Sequence, residues 1–166
     1  MRVLVQRVSR ASVTVDGTVT GSIGQGLLAL AGFCVGDTSQ EVAWMADKVP
    51  NMRIFEDSEG KMNLSLRDIA GSLLVVSQFT LYGELLKGNR PNFMSAARPE
   101  QAETLYNEFL ALLRERLGTG RVETGVFQAR MHVELVNSGP VTIMLERSAG
   151  ASEGAGGSGR GWNRSG

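Results

Sequence analysis

With 166 residues, 42% of them hydrophobic, the chain can bury one respectable core and has no room for a second domain. Lysine plus arginine and aspartate plus glutamate balance at 17 each, so net charge demands no nucleic acid and any RNA contact must come from a local basic patch. The one cysteine, Cys34, excludes an internal disulfide and a multi-cysteine zinc site, which suits a cytoplasmic protein, and no run approaches the roughly 18 apolar residues of a membrane span.

The N-terminal stretch MRVLVQRVSRASVTV alternates instead of presenting the continuous apolar segment of a secretory leader, so a soluble, unprocessed protein is expected. Val3, Val5 and the aliphatic part of Arg7 alternate with Leu4, Gln6 and Val8. ASVTVDG repeats that period before Asp16-Gly17 supplies a hairpin turn, so two strands are joined early. LLALAGF reads as a buried strand, and Thr38 to Glu41 carries a capping-box signature that opens a helix, with Pro50 set to end or kink it. MRIFED and GKMNLSL flank a turn at DSEG. LLVVSQFTLY is the most apolar strand candidate and should be central. KGNRPNF has the turn formers and charge of an exposed loop. In RPEQAETLYNEFLALLRERLG, Ala102, Leu105, Tyr106, Phe109, Leu112 and Leu113 fall at helical spacing, and Pro99 suits the first turn. VETGVF, MHVELV and VTIMLE close the pattern as strands. Runs of strands with two main helices predict an α+β single domain built on a mixed or antiparallel sheet, not a regular βαβ repeat. Residues 1–147 form this domain, and 148–166 collapse into a Gly/Ser-rich composition expected to be disordered.

Several chemistries lack their parts. A nucleophilic site of the Ser-His-Asp or Cys-His kind needs a histidine, and only His132 is present, in the strand MHVELV with Glu134 and Val136 on its face and Met131, Val133 and Leu135 opposite. One histidine and one cysteine cannot assemble a zinc site, and FEDSEG lacks a calcium-loop ladder, so no metal and no cofactor is expected. GSIGQG has its glycines in the wrong order for a dinucleotide fingerprint. What remains is chemistry of hydroxyls and backbone. Ser77, Gln78, Phe79 and Thr80 are polar or aromatic residues at the end of an apolar strand, either a rigidly held site or simply a strand leaving the core. In NSGPVT, Gly139 would let a backbone carbonyl approach a ligand and Pro140 permits a cis peptide, or the pair makes a plain hairpin turn.

With SQFTLY at 77–82 and NSGPVT at 137–142, the chain resembles the D-aminoacyl-tRNA deacylases, which hydrolyse D-amino acids from mischarged tRNA. MRVLVQRVSRASVTVDG, GSIGQGLLAL, RIFEDSEGKMNLS, KGNRPNF and VELVNSGPVTIMLE also resemble family segments in the family's order, covering residues 1–147. The resemblance implies a homodimer whose sites lie at the subunit interface, with Ser77, Gln78, Phe79 and Thr80 of one subunit forming the catalytic pocket. Gly139 and Pro140 of the other would be a Gly-cisPro chiral selector, with Asn137 beside them and Arg7 resembling the arginine that holds the motif's carbonyls. It implies catalysis by the tRNA 2′-hydroxyl, with amides around Phe79 and Thr80 stabilising the oxyanion, and acceptance of glycine mischarged on alanine tRNA. Phe127 and Met131 resemble the residues lining the terminal-adenosine pocket; by the charge of their loop alone, Lys87, Asn89 and Arg90 either contact tRNA phosphates near the acceptor end or are merely solvated. Gln128 departs from the family's usual glycine and Arg130 from an acidic or neutral position, which bears on that pocket, and Pro50 departs from an apolar residue in the first helix. Two rival readings are a relative that removes L-alanine from threonine tRNA, whose motif Pro-Gln-Ala-Thr disagrees with Ser77 and Phe79, and a non-enzymatic nucleic-acid-binding protein, which would need a metal-binding or basic extension.

Overall fold

The computed structural model describes residues 1–86 and 88–150. Strand β1 (Arg2–Val15) runs for 14 residues and turns back at Asp16-Gly17, both with positive φ (48° and 78°), as a two-residue hairpin turn demands and as aspartate and glycine tolerate. β2 (Thr18–Ile23) and β3 (Gly26–Gly32) follow along the same edge of β1. Their registers are in line, Ala11 opposite Ile23 and Val8 opposite Gly26, so the two together make one long antiparallel partner. Its other edge is covered by β8 (His132–Glu146), from Thr14 opposite His132 to Arg2 opposite Glu146. β6 (Ser72–Ser77) joins β3 in parallel and β7 (Val122–Thr124) joins β6 in parallel, which gives a mixed six-stranded sheet in which the apolar LLVVS segment is an inner strand. A small hairpin, β4 (Phe55–Glu56) and β5 (Met62–Leu64), stands apart.

The sheet curls until its ends nearly meet. Gly21 of β2 lies so near β7 that a Cβ there would sit 2.6 Å from the Thr124 carbonyl oxygen, a contact only glycine permits. Inside the curl pack Val8, Ala11, Val13, Ile23, Leu28, Leu74 and Val76. Outside it, Val3, Val5, Leu27, Ala29, Leu73 and Val75 pack under the helices. β1 serves both cores because its inward parity switches at Ser9-Arg10, where its pairing with β8 slips.

Helix α1 (Ser39–Asn51) starts at the capping box: Glu41 accepts from the Thr38 amide (2.8 Å) and hydroxyl (2.7 Å), while the Gln40 amide donates to that hydroxyl (3.2 Å). Pro50 sits one residue from its end. Helix α2 (Pro99–Leu117) has Pro99 at its first position, buries Leu105, Tyr106, Phe109 and Leu113, and is tied to β6 by the Tyr106 hydroxyl donating to the Val75 carbonyl (3.0 Å). Burial pushes the Tyr106 phenol well above its ordinary range, so it stays a neutral donor.

The sequence-based element pattern needs three corrections. LLVVSQFTLY is not one strand: the Gln78 amide makes the last ladder bond, to Ala31 (2.7 Å), and Phe79–Tyr82 wind into a 3-10 turn. Gly32 allows this, since a Cβ there would meet the Gln78 carbonyl at 2.8 Å. VETGVF is strand only through Thr124. MHVELV and VTIMLE are not separate strands but the two halves of β8, which bulges between Asn137 and Thr142 and then resumes. Of the expected C-terminal tail at 148–166, residues 151–166 lie outside the described residues.

Candidate active site

A cavity of about 910 Å³ opens where β6 ends, within the size range of small-molecule and cofactor pockets. Ser77, Gln78 and Phe79 form one wall, Phe127, Gln128 and Met131 another, and Phe93 and Arg98 close the sides. Thus Ser77, Gln78, Phe79, Phe127 and Met131, singled out in the sequence at three separated places, share one cavity. Phe93 and Arg98 were not anticipated; the one available signal was an aromatic residue in the otherwise polar loop KGNRPNF.

Local chemistry fixes each wall. Phe79 and Thr80 open the 3-10 turn, so their amides have no partner within it, and neither donates to another described residue. The Gln78 carboxamide donates to the Thr80 hydroxyl, which also links two side chains of the expected motif. Phe79 remains 56% exposed at the cavity mouth and meets Phe93 edge-on, their ring centroids 5.1 Å apart. Phe127 leans on Tyr106 (5.7 Å between centroids), itself anchored to β6, so the aromatic wall is held from the core.

The turn carrying Phe127 gives a physical reason why glycine would suit the next position. The Ala129 amide donates to the Val126 carbonyl (3.2 Å), and Gln128, third in this turn, has φ of 61° while Phe127 does not have positive φ. That is a type II arrangement, in which glycine is at ease and an L side chain is disfavoured by about 1–2 kcal/mol. Arg130 is exposed beyond the turn.

The second group of expected site residues lies elsewhere on the surface. The Gly139–Pro140 peptide bond is cis, both residues are exposed, and neither lines the cavity. They form the crest of the β8 bulge, whose neck Asn137 clasps. Its Oδ1 accepts from the Val141 amide (2.8 Å), and its Nδ2 donates to the Val141 carbonyl (3.2 Å), Gln6 Oε1 (3.1 Å) and Thr142 Oγ1 (3.1 Å). One side chain therefore replaces the ladder that the bulge interrupts. Arg7, opposite the bulge, is only 7% exposed. Its Nε donates to the Ser138 carbonyl (2.8 Å) and its Nη1 to the Ile54 carbonyl (2.6 Å), with Glu56 3.6 Å from Nη2. The guanidinium thus grips the carbonyl immediately before Gly139, fixing the path into the motif. Gly139 has φ of 138°, and a Cβ there would stand 2.9 Å from Arg7 Nη2 and 3.1 Å from the Val141 amide nitrogen.

His132 is exposed on β8 with Glu134 and Val136, on the face opposite Met131 and Val133. Arg90 is exposed in its loop, and Lys87 lies outside the described residues.

The fold and the cavity together define a curled α+β protein whose cavity is lined by the Ser77 hydroxyl, the carboxamides of Gln78 and Gln128, the Arg98 guanidinium and aromatic rings, with Thr80 next to Phe79 in the 3-10 turn but outside the lining. The D-Tyr-tRNA(Tyr) deacylase family model matches residues 4–146, and the chain belongs to that family. The D-aminoacyl-tRNA deacylase of Bacillus velezensis is 56% identical over 146 residues, 88% of this chain and 98% of that one. That of Koribacter versatilis is 58% identical over 88% of this chain and 97% of its own length. A solved structure titled c-Myc DNA Unwinding Element Binding Protein superposes with a TM-score of 0.86 at 46% identity, covering 90% of this chain and all of the other. The family expected from the motifs is the family found, and its enzyme class is a hydrolase acting on aminoacyl-tRNA.

Proposed function

We propose that this chain hydrolyses the ester bond of D-aminoacyl-tRNA, and of glycyl-tRNA(Ala), to free tRNA and amino acid, working in the cytoplasm as a homodimer with a site shared between subunits. The observation that carries the shared site is the separation of its two halves. Ser77, Gln78 and Phe79 line the cavity, whereas the clasped Gly139–Pro140 crest is exposed and lines none of it. A selector so rigidly built and so exposed has its use in the cavity of a second copy.

In this reading the terminal adenosine lies against Phe127 and Met131, and the ester carbonyl sits at the start of the 3-10 turn. The unpartnered amides of Phe79 and Thr80 then receive the developing oxyanion; one such donor contributes about 2.7–4 kcal/mol to the transition state. The ribose 2′-hydroxyl of the tRNA positions or activates water, so the protein needs no histidine, in keeping with His132 standing exposed on β8. Thr80 already accepts from Gln78 and positions the site without attacking the ester; an unassisted threonine is a weak nucleophile at neutral pH.

Selection works by exclusion. Carbonyls of the Gly139–Pro140 crest, braced through Ser138 by Arg7, face the α-carbon on the side where an L substrate carries its side chain and a D substrate only hydrogen. Glycine has hydrogen on both sides and passes. Arg90 and Lys87 supply contacts to phosphates of the acceptor end.

Purified protein given D-tyrosyl-tRNA and L-tyrosyl-tRNA at matched concentrations is expected to deacylate the D form and spare the L form. Equal rates, or no action on the D form, contradict the proposal. The solved relative titled as a DNA-unwinding-element binder raises a second reading, DNA binding without catalysis. Against it stand the match to the deacylase family and the cavity at the end of β6, which DNA binding alone would leave without a use.

A further inference from the structure

The cavity wall contains one residue whose conformation its own side chain disfavours. Gln128 occupies the third position of the Val126–Ala129 turn with φ of 61°, where glycine would sit freely. Nothing within the described residues offsets that strain: the Gln128 carboxamide is exposed and makes no hydrogen bond to any of them. Backbone strain of this kind clusters at functional sites, and of the three non-glycine residues with positive φ among the described residues only Gln128 lines the cavity. This residue lies beside Phe127, on the wall of the cavity that also holds Ser77 and Phe79. A carboxamide presents one acceptor and two donors, the pattern that matches an adenine amino group and the ring nitrogen next to it. An aromatic face held from the core by Tyr106 is the natural platform for the same base.

We propose that Gln128 is a specificity residue that reads the terminal adenine, its carboxamide oxygen accepting from the exocyclic amino group and its NH2 donating to the adjacent ring nitrogen. This rests on the reading of the cavity as the seat of the terminal nucleoside. Phe127 and Met131 supply stacking and apolar contact that any base could enjoy, and Gln128 supplies the discrimination. A chain with glycine at this position would hold the nucleoside by stacking alone.

The test is calorimetric titration of the whole chain with the non-hydrolysable amide analogue 3′-(D-tyrosylamino)-3′-deoxyadenosine and with its unsubstituted purine counterpart. Purine has only hydrogen in place of the amino group, so the carboxamide oxygen loses its donor and no rotation of the amide restores it. The parent is expected to prefer the adenosine analogue by roughly 5- to 100-fold. Both Gln128→Ala and Gln128→Gly should bind the two analogues alike, while only Gln128→Gly, relieved of the positive φ, gains roughly 2–4 °C in thermal midpoint. Equal binding of the two analogues by the parent, no binding of either, or a preference retained in the Gln128→Gly variant would overturn the proposal. Deacylation is not used in this measurement, so failure to hydrolyse D-tyrosyl-tRNA would count against the deacylase reading alone.

Discussion

At Gly139 two requirements meet in one residue. Its φ of 138° disfavours any side chain, and the space where a Cβ would go is taken by Arg7 Nη2 and the Val141 amide. Gly139→Ala should therefore displace the crest, lower stability by about 1–3 kcal/mol, and reduce the D-over-L preference in tyrosyl-tRNA deacylation at least tenfold. A variant that kept its preference would show that the crest takes no part in selection. Arg7 is the less obvious member of this group. In the sequence it is one more residue of an alternating strand, and its burial against Ser138 and Ile54 depends on chain segments 47 and 131 residues away. Periodicity could not have revealed that it grips the carbonyl ahead of the motif; only the family resemblance pointed to that role.

Among the elements, those set by neighbours in sequence were legible and those set by distant partners were not. The Asp16-Gly17 hairpin, the Thr38–Glu41 capping box and the Pro99 start of α2 follow from chemistry within four residues. The end of β6 does not, because period-two alternation cannot say where the last ladder bond falls; that depends on Gln78 meeting Ala31. Likewise the continuity of β8 through NSGPVT is the work of the Asn137 side chain, which bonds both backbone groups of Val141. Asn137→Ala should open this neck, at a cost of about 1–3 kcal/mol, measured as a lower urea midpoint with an unchanged slope. An unaltered midpoint would mean that β1 alone holds the bulge closed.

The capping box makes α1 sensitive to acid. Burial pushes the Glu41 carboxyl up, but hydrogen bonds from the Thr38 hydroxyl and amide outweigh it and hold the group below its ordinary 4.5. A carboxylate whose folded pKa lies below its unfolded one contributes stability that is complete above the unfolded value and is lost as pH falls through the folded value. Stability should thus decline as pH drops below 4.5, and Gln at this position, able to cap without titrating, should decline less steeply. Parallel pH profiles of the urea midpoint for the parent and Glu41→Gln would contradict this assignment.

For the whole molecule, the two halves of the proposed site do not share one cavity. One face of the fold offers the cavity between β6, α2 and the Phe127 turn, while the crest of β8 stands exposed outside it. Both motifs were legible in the sequence because each is short and contiguous. Their separation within one chain was not read from the residues, and only the family resemblance implied that they serve each other across an interface. The arrangement is testable by mixing two defective chains. Thr80→Pro removes a backbone amide from the 3-10 turn and should lower hydrolysis by about 100- to 1000-fold while leaving the crest intact. Gly139→Ala keeps the pocket but admits L substrates. If each site joins one chain's pocket to the other's crest, co-expressing Gly139→Ala with an excess of Thr80→Pro pairs the working pocket with an intact crest. Hydrolysis of L-tyrosyl-tRNA per working pocket should then fall while hydrolysis of D-tyrosyl-tRNA persists; a D-to-L ratio unchanged by the mixing would contradict the shared site.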